Sequence, residues 1–298
     1  MKILKILTAV MTLMLFMISG CGGGGKGTNG KFRIVTSFYP MYLHAINVTD
    51  GIDGVEVVNL TAPQTGCLHD YQLTTEDMKT LSSADVLVVN GLGMESFLDK
   101  AAEISDLKII DLSKNEDIRP IVVNGEANPH VWLSSSYAER QVIELCNQLS
   151  QIDPDHSVDY KKNALKYVTR LETLSEEMHN RLDALYGKEI VTFHEAFPYF
   201  ADEFGLIIAA VVEREPGTEP SPKELAEIID KIKTLPVKVI FTEPQYSPAA
   251  AQTIANETGA KIYTLDPIVT GEATPVALDD YLNKMRQNMM TVESAFKQ

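Results

Sequence analysis

Positive charge is scarce in this chain: 26 lysines and arginines stand against 41 aspartates and glutamates, a formal charge of −15. That balance excludes nucleic acid as a partner, because a phosphate backbone calls for a basic face. Cysteine is scarce as well, with three in 298 residues. Glycine and proline, at 18 and 14, lack the excess that marks disorder. Beyond the first twenty residues no apolar run is long enough to span a bilayer. Repeats, aromatic platforms and low-complexity stalks are missing too, which leaves a globular chain long enough for two domains.

What is present begins with an address. Residues 1–20, MKILKILTAVMTLMLFMISG, carry two lysines, an apolar stretch and small residues before Cys21, the plan of a secretory signal. The ending ISGC resembles the bacterial lipobox, in which the cysteine becomes the lipidated first residue of the mature protein. An ordinary N-terminal membrane anchor is the alternative. Without the two lysines of this segment the formal charge moves from −15 to −17. Residues 21–31 are glycine-rich and read as a flexible tether that holds a folded body off a membrane. Cys67 and Cys146 remain, able to form one bridge at most. Cys146 falls on an apolar helical position in ERQVIELCNQL, which favours a buried free thiol.

From residue 32 short β-branched runs alternate with amphipathic stretches. FRIVTSF, VEVVNL, DVLVVNG and LKIIDLS form one series, and KEIVTF, LIIAAVV, VKVIFTE and KIYTLDP a second after residue 188. This alternation predicts an α/β fold of two lobes, each a four-stranded, mostly parallel sheet flanked by helices, over 32–152 and 188–298. Between them, 153–187 predicts one rigid helix, with Asp153 as N-cap, Pro154 at the first helical position and Gly187 as the stop. Its apolar residues, from Tyr160 through Leu171 to Leu185, recur at three- and four-residue steps. A helix of about 30 residues is ~45 Å long, a beam that limits hinge motion.

The six histidines sort by position. His44 lies in an apolar helical run and reads as core; His156 and His179, on the connecting segment, read as solvent-facing. His69 follows the second strand, His130 a loop after the fourth, and His194 ends the fifth. Loops beyond the carboxyl ends of parallel strands form the ligand rim, so these three imidazoles are predicted to converge there. Asp266, after the eighth strand, sits at the equivalent rim, with a turn role before Pro267 as its alternative. Three imidazoles and one carboxylate suit a borderline-soft divalent ion and complete a tetrahedral zinc shell. Glu243, after the seventh strand, either orients a histidine through its second ring nitrogen or is a solvated strand-end charge.

The stretches HDYQLTTEDMKTLSSADVLVVNG, NPHVWLSSSYAERQVIELCNQLSQIDPDHSVDYKKNALKY, TFHEAFPYFADEFGL, EPSPKELAEIIDKIK and FTEPQYSPAAAQTIANETGAKIYTLDP resemble the zinc- and manganese-binding lipoproteins that deliver metal to bacterial ABC importers. By that resemblance His69, His130, His194 and Asp266 fall on the family's four metal positions. Manganese-type members carry a carboxylate at the third, so His194 points to zinc. The resemblance also implies two lobes joined by one long helix, with an ABC permease and its ATPase subunit as partners. Two departures stand out. Leu68 replaces the usual proline before the first histidine, with Cys67 close enough to offer a rival thiolate. The loop SKNEDIRPIVVNGEANPH is short and holds only His130, without the histidine-rich insertion of many zinc-type members.

The resulting expectation is an extracytoplasmic, lipid-anchored monomer that binds one Zn2+ per chain, delivers it to a permease and catalyses no reaction. Mn2+ or iron is the alternative cargo. A zinc hydrolase, with an open fourth position and Glu195 as base, is a rival that Asp266 decides. Surface adhesion, with metal only structural, is another.

Overall fold

A computed structural model of the protein describes residues 30–61, 68, 71–98, 107–212, 221–235, 239–245 and 248–297. The strands of the first lobe are β1 (Phe32–Thr36), β2 (Val55–Asn59), β3 (Val86–Val89) and β4 (Lys108–Asp111). A two-stranded hairpin follows, β5 (Val122–Val123) and β6 (Glu126–Ala127). The second lobe has β7 (Glu189–Thr192), β8 (Ile207–Val211), β9 (Val239–Thr242) and β10 (Lys261–Thr264). Among the described residues eight α-helices surround these strands: α1 (Tyr39–Val48), α2 (Thr75–Ser82), α3 (Ser135–Ile152), α4 (Ser157–Leu182), α5 (Pro198–Glu203), α6 (Pro222–Thr234), α7 (Pro248–Thr258) and α8 (Asp280–Phe296).

Both large sheets are wholly parallel, ordered β2-β1-β3-β4 and β10-β9-β7-β8. They share one topology: the first strand of each lobe lies between its second and third, so the order reverses there. Such reversals open a crevice at the carboxyl ends of the strands. His194 stands just past β7 and Glu243 just past β9, on the two sides of that crevice in the second sheet.

Strand alternation divides each sheet between two cores. Ile34, Val86 and Val88 face a large central core, while Val35, Leu87 and Val89 face an outer one. In the second sheet Ile190, Val239 and Phe241 turn to the same central core, and Val191 and Ile240 to the outer helices. The central core is filled from α1, α3, α4 and α8. All ten residues of α1 are buried, as a helix enclosed on every side requires. A single helical layer therefore serves both sheets.

The expected 153–187 helix is shorter than its sequence pattern. α4 has 26 residues, preceded by a 3-10 turn at Pro154–His156 and followed by another at Asp183–Leu185. Asp153 does not cap it: the carboxylate accepts from the Tyr160 hydroxyl at 2.7 Å and faces His156 Nδ1 at 2.6 Å. Tyr160 is fully buried, and an unpaired phenol there would cost about 1–3 kcal/mol, so the side chain outcompetes the backbone for this acceptor. The stripe holds as expected: Tyr160, Ala164, Tyr167, Leu171, Leu174, Met178 and Leu182 are all buried. Gly187, at φ 75°, ends the segment in the left-handed region that glycine tolerates.

The β5–β6 hairpin is absent from the sequence expectation. Asn124 and Gly125 both have positive φ, 54° and 91°, the two-residue turn that matches strand twist. It delivers the chain into Asn128, Pro129 and His130.

Candidate metal centre

His130 opens a 3-10 turn, Val131–Leu133, that leads directly into α3. The Ser134 hydroxyl caps α3 by accepting from the Tyr137 amide at 3.1 Å. Glu203 of α5 covers the same end: its carboxylate accepts from the Ser135 amide at 2.8 Å, the Ser135 hydroxyl at 2.7 Å and the Ser136 amide at 3.2 Å. An anion at a helix N-terminus is favoured by the orphan amides and the macrodipole. The turn bearing His130 is thus held from the second lobe.

His130 and His194 are buried, at 3% and 4% exposure, and their rings meet edge to face with centres 5.0 Å apart. Two imidazoles on one tetrahedral ion, with nitrogens about 2.0 Å from it, have ring centres roughly 5 Å apart. The pair stands at the spacing that a shared ion requires.

Asn128 fixes the chemistry of His130. Its Oδ1 accepts from the His130 backbone amide at 3.0 Å, and its Nδ2 donates to the Glu195 carbonyl at 2.8 Å, so the amide orientation is determined by both ends. The same Oδ1 lies 3.1 Å from His130 Nδ1. An acceptor there makes Nδ1 the protonated nitrogen and leaves the lone pair on Nε2. The Asn128 carbonyl in turn accepts from the Tyr199 hydroxyl at 2.7 Å. One residue links the His130 turn to the His194–Glu195 turn, and no local pattern in the sequence announces it.

His194 has a comparable neighbour. Its Nδ1 faces Glu243 Oε1 at 3.4 Å, while Gln245 Nε2 donates to Glu243 Oε2 at 2.6 Å. Glu243 is 2% exposed, which removes the solvated-charge alternative. Burial pushes its carboxyl above the usual range, and His194 opposes that shift; the charge of Asp266 adds to it, so Asp266 lies within electrostatic reach.

Asp266 follows β10 in a strained turn. Its Oδ1 accepts from the Ile268 amide at 2.7 Å, and Ile268, buried and β-branched, has φ 64°. The turn role and a ligand role are therefore compatible, because a carboxylate has acceptor sites left over. Trp132, two residues past His130, donates its indole N–H to the Pro267 carbonyl at 2.8 Å, tying the two loops together. The Asp266 Oδ2 is occupied by Lys284 Nζ at 2.5 Å. Trp132 and Lys284 were not among the sequence candidates.

His69, Cys67 and Cys21 lie outside the described residues. Among the described residues no set of three or more His, Cys, Asp or Glu side chains is gathered around one point. His44 is fully buried between Tyr167 and Tyr281, whereas His156 and His179, expected to face solvent, are half-buried, His156 against Asp153 and His179 against Asp183 and Phe204. Cys146 carries a buried free thiol. Glu195 lines a cleft of about 330 Å³ together with Glu126, His130 and His194. No helix among the described residues is long and apolar enough to cross a membrane.

Residues 34–295 match the family model described as zinc-uptake complex component A, periplasmic, ZnuA. The chain is 29% identical to the high-affinity zinc uptake system protein ZnuA of Bacillus subtilis, with 94% of each chain covered. It is 26% identical to the manganese-binding lipoprotein MntA of Halalkalibacterium halodurans, with 97% of each covered. The Pseudomonas aeruginosa solute-binding protein FpvC, solved with Mn2+, superposes with a TM-score of 0.80 at 33% identity, covering 90% of this chain and 98% of that one.

Proposed function

We propose a function from one premise: the chain belongs to the ZnuA family of zinc-uptake components. It captures Zn2+ outside the cytoplasm and hands it to an ABC permease whose ATPase subunit drives import. The observation that carries this reading is the buried His130–His194 pair, with ring centres 5.0 Å apart, His130 Nδ1 on the Asn128 oxygen and His194 Nδ1 3.4 Å from Glu243 Oε1. The His130 imidazole so oriented presents Nε2 to an ion before it arrives. His69 and Asp266 complete a four-ligand shell in this reading, with Glu243 holding the ring of His194. A filled shell leaves no position for an activated water, so the protein carries its ion without transforming a substrate.

Imidazole at position 194 favours zinc over manganese, since manganese prefers oxygen ligands. The sequence upstream completes the proposal: 1–20 directs export, Cys21 bears the lipid that anchors a monomer to the membrane, and 21–31 tethers the body beyond it.

Metal analysis of the full-length protein, purified in detergent without added metal, tests this. We expect one zinc per chain, lost in His130→Ala and in His194→Ala. His194→Glu should lower the zinc-to-manganese affinity ratio about tenfold or more, equivalent to ~1.4 kcal/mol. A wild-type protein that retains no zinc and binds none in titration would sink the proposal.

A further inference from the structure

Asp266 is gripped by α8 at three points. The Asp266 amide donates to Asn288 Oδ1 at 2.8 Å, and Asn288 Nδ2 donates to the Asp266 carbonyl at 2.7 Å. One helical turn earlier on the same face, Lys284 reaches the Asp266 side chain. Asn288 is 1% exposed, so the backbone of Asp266 is fixed relative to the helix that carries the lysine. The ammonium is thus tethered within hydrogen-bonding distance of this carboxylate. Both side chains retain about a quarter of their exposure, 23% each. Room exists for the lysine to withdraw toward water without unfolding α8.

A divalent ion seeking Asp266 meets this resident charge. If the ammonium stays, two cations share one carboxylate a few ångströms apart and repel each other. If it withdraws, the ion pair is lost before the metal bond is gained. Either course weakens binding. On departure of the ion the lysine covers the carboxylate again, so no bare charge is left at a partly buried position.

We propose that Lys284 is a tethered competitor for Asp266, which lowers the affinity of the site and speeds the release that delivery requires. The proposal rests on Asp266 being a metal ligand. A purely orienting role for Lys284 predicts the opposite sign, because losing the lysine would then free Asp266 to turn away.

The test uses the full-length chain, zinc chloride and a chromophoric chelator, at equilibrium and in stopped flow. Lys284→Met should bind zinc about tenfold more tightly or better and release it correspondingly more slowly. Lys284→Arg, which keeps the charge, should stay within about threefold of wild type. In an Asp266→Ala background Lys284→Met should change affinity by less than about threefold, since the contested carboxylate is gone. Binding by Lys284→Met that is unchanged or weaker overturns the proposal. An equal gain with and without Asp266 also overturns it, by reducing Lys284 to general charge. Failure of wild type to bind zinc would instead refute the metal site on which the proposal depends.

Discussion

Replacing His44 with phenylalanine should make the protein more stable in acid than wild type, by an amount that grows as pH falls. His44 is fully buried on α1, and burial holds its pKa at about 4 against an ordinary 6.5. Among the described residues neither ring nitrogen makes a well-formed hydrogen bond, nor does Oε1 of Gln141, the polar neighbour that acts weakly against the shift. In the window between 6.5 and 4 the unfolded chain takes up a proton that the folded chain refuses. The stability tied to neutral His44 is therefore complete above pH 6.5 and is lost as pH falls, with roughly 3 kcal/mol gone by pH 4. Between pH 7 and pH 5 the loss is about 2 kcal/mol.

Glu95 hides this slope in the wild type. Burial raises its carboxyl to about 7 from 4.5, against hydrogen bonds from the Asn90 amide, the Ser37 hydroxyl and the Gly91 amide. Here the folded state holds the extra proton, so stability rises as pH falls from 7 toward 4.5. The two groups nearly cancel, but Glu95 is common to wild type and variant. Phenylalanine at this position would stand beside Tyr167 and Tyr281, whose ring centres lie 6.1 and 5.4 Å from that of His44. Urea unfolding at pH 7 and pH 5, with a chelator present to keep metal ligands out of the balance, should show His44→Phe gaining about 2 kcal/mol on wild type between the two conditions. An equal stability difference at both pH values would refute the reasoning, since it requires that His44 not be held neutral in the fold.

Two further outcomes are expected, one from a contact of the site and one from the sequence. Asn128→Ala removes the acceptor at His130 Nδ1 and the bond to the Glu195 carbonyl; it should weaken zinc binding by about 10–100-fold in chelator competition with the fold retained. Cys21→Ala should shift the protein from the membrane to the soluble fraction while leaving zinc affinity unchanged, and persistence in the membrane pellet would count against lipidation.

Much of the architecture was legible because it is written in local periodicity. The eight strands of the two large sheets announce themselves as short β-branched runs, and the α4 stripe by its three- and four-residue steps. The β5–β6 hairpin carried its signal in Asn124–Gly125, yet two-residue strands have too little pattern to register. Asp153 misled because a cap and a side-chain acceptor look alike in sequence; the choice was made by Tyr160, seven residues on and fully buried. The site divides in the same manner. Histidines at strand ends are visible by residue type and place. Trp132 and Lys284 act through partners 135 and 18 residues away, and Asn128, besides turning onto His130 two residues on, through Glu195 67 residues away; contacts at such range leave no trace in a one-dimensional pattern.

The helical layer between the two sheets makes the protein dual in outline and single in thermodynamics. Leu171, Leu174 and Met178 of α4, with Met285 and Met289 of α8, belong to the core that Ile34 and Val88 enter from one sheet and Ile190 and Phe241 from the other. Cutting the chain at the midpoint would strand these residues in water on whichever fragment kept them. Neither half owns a complete interior. A partner that empties the site has no independent lobe to pull aside, and its work must be done on the loops at the rim, where the part-exposed Asp266–Lys284 pair is the fastening within reach and the Trp132–Pro267 bond lies buried behind it.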